Sequence, residues 1–460
     1  QAEDGIRDLV RSRGLGDVYK RQIKREMNIN ADLHIHSRFS TATSPQMDLP
    51  TLAVEARRKG IQLLGTGDCL HPKWLQEVRE LEEQDGIFFF TPAGETGGDT
   101  TLAFVLTVEV EDLRRVHHLL IVPSISKAEE LYESFRPYSP DIDSDGRPSL
   151  RLSGSEIAEY ARDAEALIGP CHAFTPWTAL YAYHDSLTDC YGDMVGYLSF
   201  VELGLSADSS YADRIEELHA LTFLTNSDAH SPYPIRLARE FNRFQMEGLS
   251  FEELKAAIQR ERGRKSMLNV GFPPQEGKYN ESACIRCYTH YSLTEAVARR
   301  WRCDCGGLIK KGVRDRVSEL ADCDGTHPEH RPPYLHLIPL AEVIGLAVRK
   351  SPSSKTVQQI WESFLAKFGS EVTVLIDAPM DSIKGAHFEL NSADLERVVE
   401  AITAFRTGMI RISPGGGGKY GVIQLATESA LDTQERGEEL LMAEHEPEKR
   451  RKKQLSLFDF

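Results

Sequence analysis

No stretch of this sequence approaches the ~20 consecutive apolar residues that a bilayer-spanning helix needs, and no secretory signal is visible. Membrane partners are therefore not expected. Cysteine is scarce, with eight in 460 residues, and four of them cluster between Cys284 and Cys305. That spacing excludes a disulfide framework and suits a metal site in a reducing, cytoplasmic compartment. Positive charge is also short: the net charge is −16, which argues against a wholly basic nucleic-acid coat but leaves room for a local basic groove. A functional phosphate loop is missing too. The run Pro414-Gly-Gly-Gly-Gly-Lys419 has Ser413 where that loop needs glycine and Tyr420 where it needs Ser or Thr. Nucleotide hydrolysis is rejected on that ground.

What is present is a soluble composition, 41% apolar and 27% charged, with length for roughly three domains. Gln1 to Gln22 carries no pattern that leads into the next segment and resembles translated adapter read-through, so residues 1–26 are expected to be a non-native leader and Met27 the natural start. From there the chain alternates strand-like and helix-like segments. Ala31 to Ser40, ADLHIHSRFS, reads as a short strand ending in His34 and His36, which share one face at i and i+2. Asp32 and Ser37 stand beside them as supporting groups. Leu49 to Lys59 is helical in pattern, and GTGD then places Asp68 and His71 just past a strand. Phe104 to Val110 carries Glu109, Val116 to Val122 carries His117 and His118, and Ala166 to Phe174 delivers His172. Val201 to Leu205 holds Glu202, and Thr222 to Asn226 leads into SDAH with Asp228 and His230.

Strands alternating with helices predict parallel βα units and a barrel, whose chemistry sits at the C-terminal strand ends. Nearly all these His, Asp and Glu residues fall there. Imidazole with carboxylate suits Zn, Mn, Fe or, less well, Mg, and bridging carboxylates such as Asp68, Glu109 or Asp228 suit a multinuclear centre. Such a centre fits phosphoester hydrolysis by in-line displacement.

HIH, GD with His71, Glu109, the HH pair, His172 and SDAH resemble the ligand series of the PHP (polymerase and histidinol phosphatase) superfamily. The resemblance implies a distorted (β/α)7 barrel over residues 27–275 with a centre of two or three ions. It also implies metal roles for His34, His36, Asp68, His71, Glu109, His118, His172, Asp228 and His230. His117 and His118 compete for one role, because adjacent strand residues face opposite ways. Asp228, with His36 and Glu109, is expected to carry the catalysis.

Cys284-x-x-Cys287 and Cys303-x-Cys305 suit a closed, zinc-ribbon-like structural zinc site in a module at 276–326, although the second pair is one residue shorter than usual. Between Ala283 and Leu320 there are eight Lys or Arg against four acids, and with Tyr288, Tyr291 and Trp301 this reads as a nucleic-acid contact. His327 to Pro339 reads as a rigid linker or pocket wall, and a small, mainly α domain is expected over 327–425. The polar tail 426–460 closes on the apolar anchors Leu457, Phe458 and Phe460, which with Gln454 resemble bacterial sliding-clamp and archaeal PCNA-binding peptides.

Together with GPCHAFTPW, ELGLSAD, GVRDR, HRPPYLH and PGGGGKYG, these motifs resemble the endonuclease Q family from about Ala31 to Ile423. That resemblance implies a DNA-repair enzyme, nucleoid-associated, that nicks 5′ of deaminated bases (uracil, hypoxanthine, xanthine) or abasic sites, with a flipped base in a pocket. The rivals are a small-molecule phosphoesterase on the same barrel and a non-catalytic clamp-bound scaffold.

Overall fold

The computed structural model describes residues 26–92, 101–388 and 392–425. It is a mixed α/β structure built on a central sheet, and no helix among the described residues is long and apolar enough to cross a membrane. The strands in chain order are β1 (Met27–Asp32), β2 (Leu63–Gly65), β3 (Glu82–Gln84), β4 (Ile87–Phe90), β5 (Leu102–Glu111), β6 (His117–Val122), β7 (Leu167–Pro170), β8 (Phe200–Glu202), β9 (Thr222–Leu224), β10 (Phe241–Met246) and β11 (Lys265–Gly271). Beyond these lie β12 (Ala283–Cys284), β13 (Ile309–Lys310), β14 (Tyr334–His336), β15 (Ile410–Ser413) and β16 (Val422–Leu425).

The sheet runs β14-β11-β10-β1-β2-β5-β4-β3, and β6 pairs with both β5 and β7. β1, β2 and β5 are parallel neighbours, as βα units require. β5 is buried along nearly its whole length. Its first half pairs with β4 and its second half with β6, so one strand joins two stretches of the sheet. β8 and β9 form a parallel pair of their own. Backbone bonds from Ser199 to Ile168 and from Ala173 to Glu202 tie β7 to β8, and His36 bonds Ala229 beyond β9. A ring of hydrogen bonds thus runs through β1, β2, β5, β6, β7, β8 and β9.

Helices cover the outside. Leu49–Lys59 is started by the Asp48 side chain, which accepts from the Thr51 N–H, and it buries Leu49, Leu52, Ala53 and Ala56 against the sheet. Helices Leu340–Val348, Lys355–Phe368 and Ser392–Arg406 form a layer that packs on this side. Lys59 reaches Glu371 at 2.5 Å with both groups buried, and Arg58 stacks over Trp361.

The expected strand through His34 and His36 stops at Asp32. The histidines lie in extended chain beyond it, held by the Ile35–Ala229 bridge rather than by a ladder. Free of the pleat, their side chains are placed by tertiary contacts alone. His327–Pro339 closes against the barrel: Arg331 forks onto Asp213 at 2.7 and 3.0 Å, and His336 bonds Asp208 at 2.9 Å.

Candidate metal centre

Glu109 lies at the middle of the site, and its position follows from the β5–β6 register. Glu111 stands opposite His117, and Val110 opposite His118. Alternation along a strand therefore puts Glu109, Glu111 and His117 on one face and His118 on the other. His117 Nδ1 is 2.6 Å from Glu109 Oε1, and His172 Nε2 approaches the same oxygen at 3.0 Å. His118, expected in this centre, is absent from it. The pleat sends it to the opposite face, where it meets Tyr191 at 2.7 Å.

On the other side of Glu109 stand His34, His36 and Asp228. His36 Nε2 is 3.2 Å from both Glu109 Oε2 and Asp228 Oδ1, and His34 Nε2 is 3.7 and 3.8 Å from Glu109 Oε1 and Asp228 Oδ1. Both Nε2 atoms and Asp228 Oδ1 are buried without a hydrogen-bond partner. Orphaned buried donors and acceptors are costly, so three converging on one point mark a place built for a cation. The candidate ligand atoms fall into two groups that share Glu109: His34, His36, Glu109 and Asp228, and Glu109, His117 and His172, with the atoms of each group within 4.8 Å of one another. A carboxylate common to both groups has the connectivity of a bridging ligand.

The rings are oriented from behind. His34 Nδ1 donates to Glu202 at 2.9 Å, and Glu202 also takes the His172 N–H and the Asn226 side-chain N–H. That fixes the tautomer and leaves His34 Nε2 bare toward the centre. Asp68 does the equivalent for His36. Its Oδ1 lies 3.2 Å from His36 Nδ1, while its Oδ2 accepts from the Ser37 N–H, Ser37 Oγ and Ser40 Oγ. Asp68 therefore supports a neighbouring histidine, and its orientation role is the one visible in the geometry. His71 stacks on Phe39 at 4.4 Å with a buried, unpartnered Nδ1, and His230 packs its ring 4.3 Å from His36.

The electrostatics match this arrangement. Burial pushes the Glu109 carboxyl up, but His117 and His34 outweigh it and hold the group well below the usual carboxylate range. Burial and then the charge of His36 lower His230 to about 4. Arg147 Nη1 stands 3.4 Å from Glu109 Oε2 at the mouth of the site. Asp68, His172 and Asp228 all adopt positive φ, 51°, 28° and 47°, so each backbone turns sharply to aim its side chain inward.

Sequence reasoning named Glu202 without giving it a role and passed over Arg147. Glu202 stood at a recognised strand end, the same signal that marked the ligands, whereas nothing local marked Arg147.

The four module cysteines converge despite the short second pair. Cys284 and Cys305 sulfurs are 3.5 Å apart and those of Cys287 and Cys303 3.4 Å, near the spacing of thiolates around one tetrahedral ion. All four lie within 4.8 Å of one another. Tyr291, expected to contact nucleic acid, is buried with its hydroxyl 3.0 Å from Cys303 Sγ, while Tyr288 is exposed. The Gly-rich run between β15 and β16 lies on this module. A Cβ at Gly417 would stand 2.5 Å from the Cys284 carbonyl oxygen, so only glycine permits the approach. Lys310 sits over Trp177, Trp177 meets Tyr279 edge-on, and Lys278 sits over Tyr420, which lines a basic aromatic surface from barrel to module. The leader and the anchors Gln454, Leu457, Phe458 and Phe460 lie outside the described residues.

A family model described as the MJ0043 C-terminal domain matches residues 339–409. The crystal structure of the lesion-specific endonuclease PfuEndoQ from Pyrococcus furiosus is similar over 87% of this chain and 96% of that one, with 50% identity and a TM-score of 0.81. An Endonuclease Q in complex with a 27-mer duplex substrate bearing an abasic lesion at the active site is similar over 88% of this chain and all of that one, with 48% identity and a TM-score of 0.78. An uncharacterized protein, MJ0043, of Methanocaldococcus jannaschii is 47% identical over 258 residues, 55% of this chain. That match spans about a third, 31%, of that relative's length.

Proposed function

This chain belongs to the endonuclease Q family, and from that premise we propose that it is a metal-dependent DNA endonuclease that nicks the phosphodiester 5′ of deaminated bases or abasic sites. The observation that carries the reading is the pair of orphaned His34 and His36 Nε2 atoms facing a shared Glu109. The hydrogen-bonded ring of seven strands supports the distorted (β/α)7 PHP barrel as the scaffold.

Two ions fit the donor set, one at His34, His36, Glu109 and Asp228 and one at Glu109, His117 and His172; Zn, Mn, Fe and Mg are each compatible with these donors. When bound, such ions supply positive charge to a phosphodiester and lower the pKa of water. The chain's own groups do the rest. Glu202 and Asp68 hold the imidazoles in the tautomer that presents Nε2. Arg147 offers a cation beside the centre to a phosphate oxygen. Asp228 turns its free Oδ1 into the site and is the group whose loss damages catalysis most. The Cys module holds a structural zinc and, with Trp177, Tyr279, Lys278 and Lys310, grips the duplex beside the lesion. The peptide at Gln454, Leu457, Phe458 and Phe460 docks on a sliding clamp, which places the enzyme at DNA in the cytoplasm. Removing Gln454 to Phe460 abolishes clamp binding if this is right.

The deciding experiment incubates the chain from Met27 with end-labelled duplexes carrying one uracil, one hypoxanthine or one abasic site. A single metal-dependent nick 5′ of the lesion, lost with chelator and in Asp228→Ala, supports the reading. Intact damaged DNA under every metal, with ready cleavage of phosphomonoesters, replaces it with the small-molecule enzyme.

A further inference from the structure

His118 faces away from the centre, and what it faces is a second set of metal-type donors. Asp112, from the turn after β5, and Cys190, from the helix Leu187–Tyr191, each bring one donor atom within 4.8 Å of the other two members of the set. His118, Asp112 and Cys190 are 0%, 4% and 6% exposed. The Tyr191 hydroxyl holds His118 Nδ1 at 2.7 Å and so aims Nε2 at the cluster. That Nε2 is 3.4 Å from Asp112 Oδ2 but makes no hydrogen bond. Two donors at about 2.0–2.1 Å from one tetrahedral ion stand about 3.3–3.4 Å apart.

The rest of the surroundings point the same way. Asp112 spends only Oδ1 on its turn, accepting the Arg114 and Val116 N–H groups at 2.8 Å each, which leaves Oδ2 for the cluster. Gly154, at the start of helix Gly154–Asp163, closes the cradle: a Cβ there would stand 2.7 Å from Cys190 Sγ and 3.1 Å from His118 Cε1.

We propose that Asp112, His118 and Cys190 form a buried divalent-metal site separate from the Glu109 centre. Thiolate, imidazole and carboxylate together favour zinc, and the two anionic ligands neutralise a dication in a place no water reaches. Binding displaces the Cys190 thiol proton to solvent. The ion ties the turn after β5 and the helix Leu187–Tyr191 to β6, and thereby holds the strand that presents His117 to the other face.

The test is a crystal of the full chain grown with excess zinc, with anomalous data on both sides of the zinc edge. A peak enclosed by His118 Nε2, Asp112 Oδ2 and Cys190 Sγ supports the site. Peaks at the Glu109 centre and the Cys module with none here overturn it. In solution, Cys190→Ser and Gly154→Ala each lose one metal equivalent relative to the parent, while Cys323→Ser loses none. Parent metal content in a folded Cys190→Ser also overturns the proposal, and should that variant fail to fold, the map of the parent decides alone.

Discussion

The Glu109 centre and the four-cysteine module are both clusters of metal-type donors, yet they are assembled in opposite ways. The centre draws His34, His36, Glu109, His117, His172 and Asp228 from segments up to two hundred residues apart. The module draws all four sulfurs from Cys284 to Cys305, with the short helix Leu293–Ala298 between the two pairs. Long-range assembly backs the centre with the buried carboxylates Glu202 and Asp68, whereas the module backs its sulfurs with a neighbour in sequence, Tyr291. Local assembly leaves two of its four cysteines exposed, and the proposed zinc would supply much of its stability.

Asp228→Ala apart, the largest expected effect breaks the centre itself. Glu109→Gln removes the carboxylate common to both groups and lowers lesion cleavage on the order of 10³-fold or more, with the melting temperature of the chain little changed. Single-turnover assays beside thermal melts check both halves. Next, Cys284→Ser removes one of the four proposed zinc ligands; hydrogen exchange then shows the module open while the barrel strands stay protected, because nothing in the barrel depends on those sulfurs. Loss of barrel protection would mean the two regions fold as one unit. Third, Glu202→Gln keeps the shape but withdraws the charge behind His34, and metal affinity of the centre falls about 10–100-fold with the module unaffected. Competitive chelator titration measures it.

The smallest effect concerns the electrostatic cost of burying acids beneath the barrel site. Burial raises Glu240 to about 8, against the opposing pull of the Phe272 N–H and Arg239. Its ordinary value is near 4.5. Between those values the unfolded chain has released a proton that the folded chain keeps, so the Glu240 contribution to stability is full below the lower value and lost as pH rises through the upper one. Glu240→Gln flattens that slope: its melting temperature exceeds the parent's near about pH 8.5 and matches it near about pH 5. Equal differences at both pH values would refute the assignment.

Much of the centre was legible from order alone, since each ligand type follows an apolar segment and strand ends deliver side chains to one rim. Leu49–Lys59 and Leu340–Val348 were legible to the residue, because apolar spacing and a defined N-terminus both mark them. His34 and His36 were read as strand residues, but the strand ends at Asp32 and their convergence comes from Ala229, Glu202 and Asp68, all distant in sequence.

By itself the sequence determined which residue types are available, their spacing, and that adjacent His117 and His118 must face opposite ways. Only the tertiary structure decided which of the two faces Glu109, because that depends on the register of β6 against β5, and a one-residue slip would exchange them. The same register left His118 beside Asp112 and Cys190, a neighbourhood that no local pattern announces.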